Sequence, residues 1–359
     1  MKKNIINIIK IIAFLLVFFI LYSFLTELKH PEAVDLQNIR GIYSEKKDSL
    51  DMVYIGGSAS FVYWAPLDAY KNYGIASYDY GANTIQPELY KYMVKEMLKT
   101  QDPNLIVIDA RAFQYRDVDQ PPTAVAYRNV LTGMKLGKNK VDFIRKNVNR
   151  FLGEDEASYY SDLDLYHTNK TNSTVKNALR RVTDRYKNKN KGFYFVAKAE
   201  PMEKQDFKTE EIQPVSDDTT EILNDLIAYL KTVNKNVLFV VSPYIETKEH
   251  KANFNYVENI IEDAGFDFLD SNEYAKEMNL DYSVDFYNEN HVNYYGADKY
   301  TNFLAKFIKN KYEIPDRRND SNYSDWNNIM SDWENNVLND KEQINAIIGE
   351  ESYYSGDKK

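Results

Sequence analysis

Among 359 residues there are only four histidines, His30, His167, His250 and His291, and no cysteine. Disulfides, thiolate metal sites, thiol catalysis and a lipoprotein anchor are thereby excluded. The sequence does offer a serine at the end of a short apolar run, Asp51-Met-Val-Tyr-Ile-Gly-Gly-Ser-Ala-Ser60. Its β-branched and aromatic residues read as a buried strand. Gly56 and Gly57 permit backbone angles that cost a residue carrying Cβ, and Ser58 follows at once. If a helix begins there, Ser58 lies at a strand's carboxyl end and a helix's amino terminus, where free N–H groups favour developing negative charge. Such a place suits a nucleophilic hydroxyl, although Gly-Gly-Ser is also an ordinary turn. A nucleophilic serine needs a base, and Asp285-Phe-Tyr-Asn-Glu-Asn-His-Val-Asn-Tyr-Tyr-Gly296 supplies His291.

An early Gly-x-Ser and a late histidine preceded at three residues by Asn288 resemble the SGNH (GDSL-like) hydrolase superfamily. In that family the late block is Asp-x-x-His, and serine, histidine and acid form a triad. The resemblance covers roughly residues 48–115 and 236–312, and is nearest to membrane-anchored extracytoplasmic members. These include the teichoic-acid D-alanyl transfer protein and glycan O-acetyltransferases. The resemblance implies Ser58 as nucleophile, His291 as base and the Gly81 N–H in an oxyanion hole. The asparagine that usually completes that hole is missing from Asp109-Ala-Arg-Ala-Phe113, where Arg111 offers donors to an oxyanion or an anionic substrate, or is an ion-paired structural residue. The family acid falls at Asn288, which adds no charge. Either Asn288 accepts from the imidazole N–H through its amide oxygen, as in Cys-His-Asn enzymes, or Asp285 or Glu289 replaces it, or the site is a dyad, or it is inactive. The implied activity is that of an acyl esterase or O-acyltransferase on an envelope glycan or teichoic acid, with no cofactor or metal. A membrane-bound acyltransferase is the implied protein partner. Two other classes stay open: an inactive accessory scaffold, and an anchored polymer-binding module.

These residues need a frame that brings position 58 beside position 291. Strands are expected at the run before Ser58 and at Ile75–Tyr80, Asn104–Asp109, Asn236–Val241 and Phe266–Leu269. Between them the 3.6-residue apolar period predicts helices from Pro87, over Thr219–Thr232, up to Gly265, and through Tyr300–Ile308. Such alternation predicts an α/β three-layer sandwich around a five-stranded parallel sheet, flavodoxin-like in the resembled family. Ligands of such sheets bind beyond the carboxyl ends of the strands, where Ser58, Gly81 and Arg111 would gather. Trp64 would wall a pocket or simply pack.

At the amino end, Lys2, Lys3 and Lys10 precede the uncharged run Ile11–Thr26, and Glu27 follows. This predicts an uncleaved single-pass anchor, with residues 1–10 cytoplasmic and the body outside a bacterial, Gram-positive membrane. Residues 27–47 read as a tether and 48–315 as the main domain. Residues 117–215 read as an insertion that shapes the substrate cleft. It holds Pro121-Pro122, a packing or locally bonded His167, and the basic stretch Arg180–Lys191. That stretch is a solvated face, or a site for an anionic polymer or lipid headgroups. The tail 316–359 repeats Ser-Asp-Trp at 324 and 331. Trp326, Ile329, Met330, Trp333 and Val337 line one helical side, predicted to pack on the body or to lie on a membrane or partner. A net charge of −9 argues against general nucleic-acid binding. The thirty tyrosines suit core packing, or stacking on sugars.

Overall fold

The β-branched and aromatic runs form five parallel strands: β1 Met52–Gly56, β2 Ser77–Gly81, β3 Leu105–Asp109, β4 Asn236–Val241 and β5 Asp267–Asp270. Their spatial order is β2-β1-β3-β4-β5. A computed structural model describes residues 2–30, 32–118, 120–162 and 173–356, so His167 lies outside the described residues. Strand order reverses between β1 and β3, and the crevice at that reversal is where ligands of open parallel sheets bind. All residues of β1, β2 and β3 are buried, as a sheet covered on both faces requires.

The helices are α1 Lys2–Lys29, α2 Val34–Gly41, α3 Ser58–Phe61, α4 Pro66–Tyr73, α5 Tyr90–Met97, α6 Arg111–Val118, α7 Ala124–Leu131 and α8 Lys138–Asn147. They continue with α9 Ala157–Tyr160, α10 Val175–Val182, α11 Asp217–Leu230, α12 Lys248–Asp263, α13 Tyr294–Lys311 and α14 Ser324–Gly356. Alternating strand positions reach helices on opposite sides. Tyr54 of β1 meets the Tyr300 hydroxyl of α13 at 3.1 Å, whereas Tyr78 of β2 donates to the Asn38 carbonyl of α2 at 2.9 Å. Trp64 packs, fully buried, with its indole N–H on Ser77 Oγ at 2.9 Å.

Helix α1 is long and apolar enough to cross a membrane, and its central window has no buried residue. The helix also runs through both ends of the expected span, since nothing between Lys3 and Lys29 breaks it. Residues 27–47 are not a tether. Leu36, Ile39, Ile42 and Tyr43 are buried, and Arg181 of α10 donates to the Glu27 carboxylate and to its backbone carbonyl, both at 2.9 Å. The apolar spacing of Leu36, Ile39, Ile42 and Tyr43 within this short polar segment is the sequence sign of that packing.

The basic stretch is likewise built into the body. Arg181 pairs with Glu27 and Glu32, Lys187 with Asp325, Lys189 with Asp332 and Lys191 with Glu45. Gly192 follows at φ 98°, so close to the edge strand that a Cβ would lie 2.2 Å from the Asp79 carbonyl oxygen. The Asp79 N–H donates to the Lys191 carbonyl at 2.9 Å, which covers the free edge of β2.

Helix α14 packs on the body through Trp326 and Trp333, and Ile329, Met330 and Val337 are only partly covered. Trp333 is 1 % exposed, donates to Asp68 Oδ1 at 2.8 Å and lies against Phe193 and Phe195. Trp333→Ala should therefore lower stability by about 3–5 kcal/mol. Equilibrium urea unfolding measures this. A loss below about 1 kcal/mol would show that α14 is not part of the cooperative unit.

Candidate active site

Ser58 follows β1 directly and opens α3, which is a single turn. One turn has almost no macrodipole, but its first N–H groups have no acceptor within it. Gly56 and Gly57 do not adopt a left-handed conformation. Gly56 is required by close packing instead, because a Cβ there would lie 2.6 Å from Asp109 Cβ. The buried Asp109 carboxylate closes that junction, accepting from the Gly57 N–H at 3.3 Å and the Arg111 N–H at 3.0 Å. Burial holds its carboxyl above the usual range. An acid at the end of an otherwise apolar strand was the sequence signal for Asp109.

His291 comes from the opposite end of the chain on a short hairpin, β6 Phe286–Asn288 and β7 His291–Val292. Its Nε2 is 2.7 Å from Ser58 Oγ, although the residues are 233 positions apart. Its Nδ1 is 3.0 Å from Asn288 Oδ1. The Asn290 N–H donates to that same Oδ1 at 2.9 Å, which fixes it as the amide oxygen. Nδ1 therefore carries the proton, and Nε2 presents a lone pair to the serine hydroxyl. The Tyr287 ring stacks on the imidazole at 5.4 Å.

Asp285 does not orient the histidine. It is fully buried, and its Oδ2 accepts from Lys299 Nζ at 2.7 Å and the Asp281 N–H at 2.6 Å. Six residues before His291, it anchors the entry to the hairpin instead. Glu289 is exposed in the hairpin turn, and only its carbonyl has a tertiary role, accepting from the Ile245 N–H at 2.8 Å.

Arg111 begins α6 after β3 and is 1 % exposed. It donates to the Asn290 carbonyl at 3.1 Å, to Tyr63 Oη and Ser242 Oγ at 3.3 Å, and to Tyr115 Oη and Asn290 Oδ1. Its guanidinium carbon stands 4.2 Å from the Tyr244 ring centre. Tyr63 donates to the Asn290 carbonyl at 2.7 Å, and Tyr115 donates to Asn290 Oδ1. Arg111 and two tyrosines thus grip the hairpin turn next to His291. Among the described residues it has no carboxylate within ion-pair distance, so the ion-paired reading is replaced by a neutral, aromatic cage. The cage was hidden in the sequence because Tyr63, Tyr115, Tyr244 and Asn290 are distant from one another.

Gly81 stands opposite Gly56 in the ladder, and a Cβ on it would lie 2.4 Å from the Gly56 carbonyl oxygen. The Ala82 N–H takes that carbonyl at 3.3 Å, and the Asp79 N–H points outward to Lys191. Strand N–H groups alternate sides, which leaves that of Gly81 on the outer side of β2, away from Ser58. Gly81 is therefore a close-packing glycine rather than the expected oxyanion donor.

Ser58, His291, Arg111 and Asn290 line a cleft of about 60 Å³ with Thr84, Ile85 and Gln120. Thr84 holds φ 51°, a left-handed conformation that a β-branched residue seldom adopts. A polar groove of about 680 Å³ meets this cleft at Asn290 and is walled by Glu200, Met202, Glu203, Asn288 and Glu289. The wall is the last part of residues 117–215: the Glu200 and Met202 N–H groups donate to the Phe286 and Tyr282 carbonyls at 2.9 and 2.8 Å. That segment does shape the space around the hairpin.

No group of side chains suited to holding a metal ion occurs among the described residues. A comparison with protein-family models finds none that matches the chain, and a comparison with curated proteins finds no significant relative.

Burial, and then the Arg111 charge, hold the His291 imidazolium down at a pKa of about 3. The pair is therefore a neutral imidazole and a hydroxyl at any ordinary pH. The sign for stability follows from linkage. The unfolded histidine binds its proton near pH 6.5 and the folded one does not, so the contribution of His291 is full above pH 6.5 and is lost towards pH 3. Nuclear magnetic resonance of the ring protons should show no titration of His291 between pH 8 and 5. In Arg111→Met its midpoint should move up. A wild-type midpoint near 6.5 would contradict the buried, cation-flanked setting.

Proposed function

We propose that the protein is a membrane-anchored serine esterase or O-acyltransferase of SGNH (GDSL-like) type. The observation that carries this reading is the continuous relay Asn288–His291–Ser58 at the crevice where strand order reverses. In this reading the strand order is the flavodoxin-like order of an SGNH scaffold. Ser58 Oγ attacks an ester carbonyl carbon while its proton passes to His291 Nε2. The carbonyl electrons move onto oxygen beside the Ser58 N–H and the Arg111 charge. Collapse of that oxyanion expels the alcohol, which takes the proton from His291 and leaves an acyl-serine. Water or a sugar hydroxyl, deprotonated by His291, then releases the acyl group as an acid or a new ester.

The substrates proposed are acyl esters of a cell-envelope glycan or teichoic acid. Positive charge before the apolar stretch and Glu27 after it support a cytoplasmic amino terminus and an extracytoplasmic body in a bacterial membrane. A membrane-bound acyltransferase would deliver the acyl group. No cofactor is required for these steps.

The low pKa of His291 supports a second reading, that of an accessory scaffold with little or no turnover. A general base works best with a pKa near the operating pH, and neither Asn288 nor Arg111 helps the imidazole to take a proton. The two readings differ in whether Ser58 reacts. A fluorophosphonate should label the purified chain at Ser58, with all labelling lost in Ser58→Ala. Absence of labelling in the folded wild type would select the scaffold.

The position of Asn288 makes a second expectation. Asn288→Asp keeps both hydrogen bonds and adds the charge that stabilises imidazolium, so esterase or transfer turnover should rise at least tenfold. The opposite change in one serine protease costs about 10⁴ in turnover. Asp285→Asn should leave turnover within about threefold and lower thermal stability, because Asp285 serves Lys299 and the Asp281 N–H. Equal turnover in Asn288→Asp and wild type would remove Asn288 from the relay.

A further inference from the structure

The apolar exposed surface of α1 runs from Ile5 to Leu25. At about 1.5 Å per residue this is about 30 Å, the thickness of a hydrocarbon core. The body does not begin where that surface ends. Met134, Leu136, Tyr160 and Ser161 come alongside Phe19, Tyr22 and Thr26 and enclose with them a cavity of about 360 Å³. Tyr22 Oη and Ser161 Oγ bond across it at 2.5 Å. Phe19 is 59 % exposed and Leu136 is 68 % exposed, so the cavity has an apolar wall continuous with the bare face of α1.

Its other end is polar and holds Glu27, His30, Arg40, Lys135, Lys140, Asp162 and Arg181. Outside the cavity, Lys135 is matched by Asp184 and Arg181 by Glu32. Arg40 and Lys140 remain against Glu27 and Asp162. The His30 imidazole lies between those two carboxylates, 3.2 Å from Glu27 and 3.7 Å from Asp162. When it is protonated, the described side chains of the cavity carry one positive charge in excess. The Arg40 Nε–H is buried in the same region and has no acceptor among the described residues.

We propose that this cavity seats one phospholipid with a singly charged phosphodiester headgroup, its acyl chain lying along α1 past Phe19 and Leu136. The match is in shape and in charge. An apolar wall at membrane depth leads into a polar end that one monoanion neutralises, with the orphaned Arg40 N–H as a donor. Buried polar groups of this kind are nearly always satisfied in folded proteins, and an anionic oxygen satisfies such a donor best. The proposal rests on the membrane-spanning reading of α1 and is independent of the chemistry at Ser58.

The test uses the full chain in detergent, titrated with phosphatidylglycerol or phosphatidylcholine of the same acyl chains and read by native mass spectrometry. Phosphatidylglycerol should be retained at roughly tenfold lower concentration. Lys135→Glu, at the partly exposed rim, should cut that preference to threefold or less, and Leu136→Asp should weaken retention of both lipids. Equal retention of the two lipids by the wild type, or an unchanged preference in Lys135→Glu, would overturn the proposal. Flotation with vesicles separates the two readings. A chain that floats yet shows no headgroup preference has lost only the lipid seat. One that fails to float with either lipid has lost the membrane reading and the seat together.

Discussion

The geometry around Ser58 depends on one buried guanidinium. Arg111 leaves the end of β3, passes under the tyrosine cluster and takes hold of Asn290, the residue beside His291. A two-stranded hairpin of two cross-strand pairs is marginal alone, and the Arg111 grip on its turn adds to the backbone bonds that Glu200 and Ile245 make to it. Burying a cation without a contacting carboxylate is costly, and the structure offsets the cost with oxygen acceptors and three ring faces. Tyr63, Tyr115 and Tyr244 bring aromatic bulk and hydroxyl dipoles at once, a combination that a chain rich in tyrosine can supply.

In the proposed reaction this charge would act in two opposed directions. It would disfavour the imidazolium formed as Ser58 loses its proton, and would favour the oxyanion formed with it. In a protease-like triad a carboxylate settles the first problem, and backbone donors handle the second. Here the carboxylate is absent and a cation stands near.

The strands, the serine turn and the histidine block were legible because each is written in a short window. Asn236–Val241 lies where its apolar run lies, and β5 is displaced by one residue only, since Phe266 leaves the ladder after Gly265 turns at φ 86°. What was not legible depends on residues that meet only after folding. Arg111 reads in sequence as a donor to an anion or as an ion-paired structural residue, and its cage is hidden because it comes from four distant positions. Residues 27–47 look like a tether in sequence because two residues that fasten them to the body, Asp162 against His30 and Arg181 against Glu27, lie beyond position 160. Lys187 and Lys189 do form a solvated face, and what their run does not show is that Asp325 and Asp332 of α14 stand opposite them. Gly81 was misjudged for another reason. A glycine at a strand end has two uses, a free N–H or close approach, and a single sequence carries no sign of which applies.

Asn288 shows how a local motif can decouple two roles. Its Oδ1 accepts from the Asn290 N–H to close the hairpin turn and from His291 Nδ1 to fix the tautomer. Both are acceptor roles that aspartate would fill equally well, as it does in Asx turns throughout this chain, at Asp270, Asp281 and Asp320. The fold therefore does not demand the amide. What the amide changes is charge alone, in a site where Arg111 already sets the sign of the field. A carboxylate at 288 would place a negative charge close to a buried guanidinium that has no carboxylate within ion-pair distance among the described residues, and would draw on it as well as on the imidazole. The neutral side chain leaves the field at the cleft to Arg111 and to the Asp109 carboxyl that lines it beside Ser58.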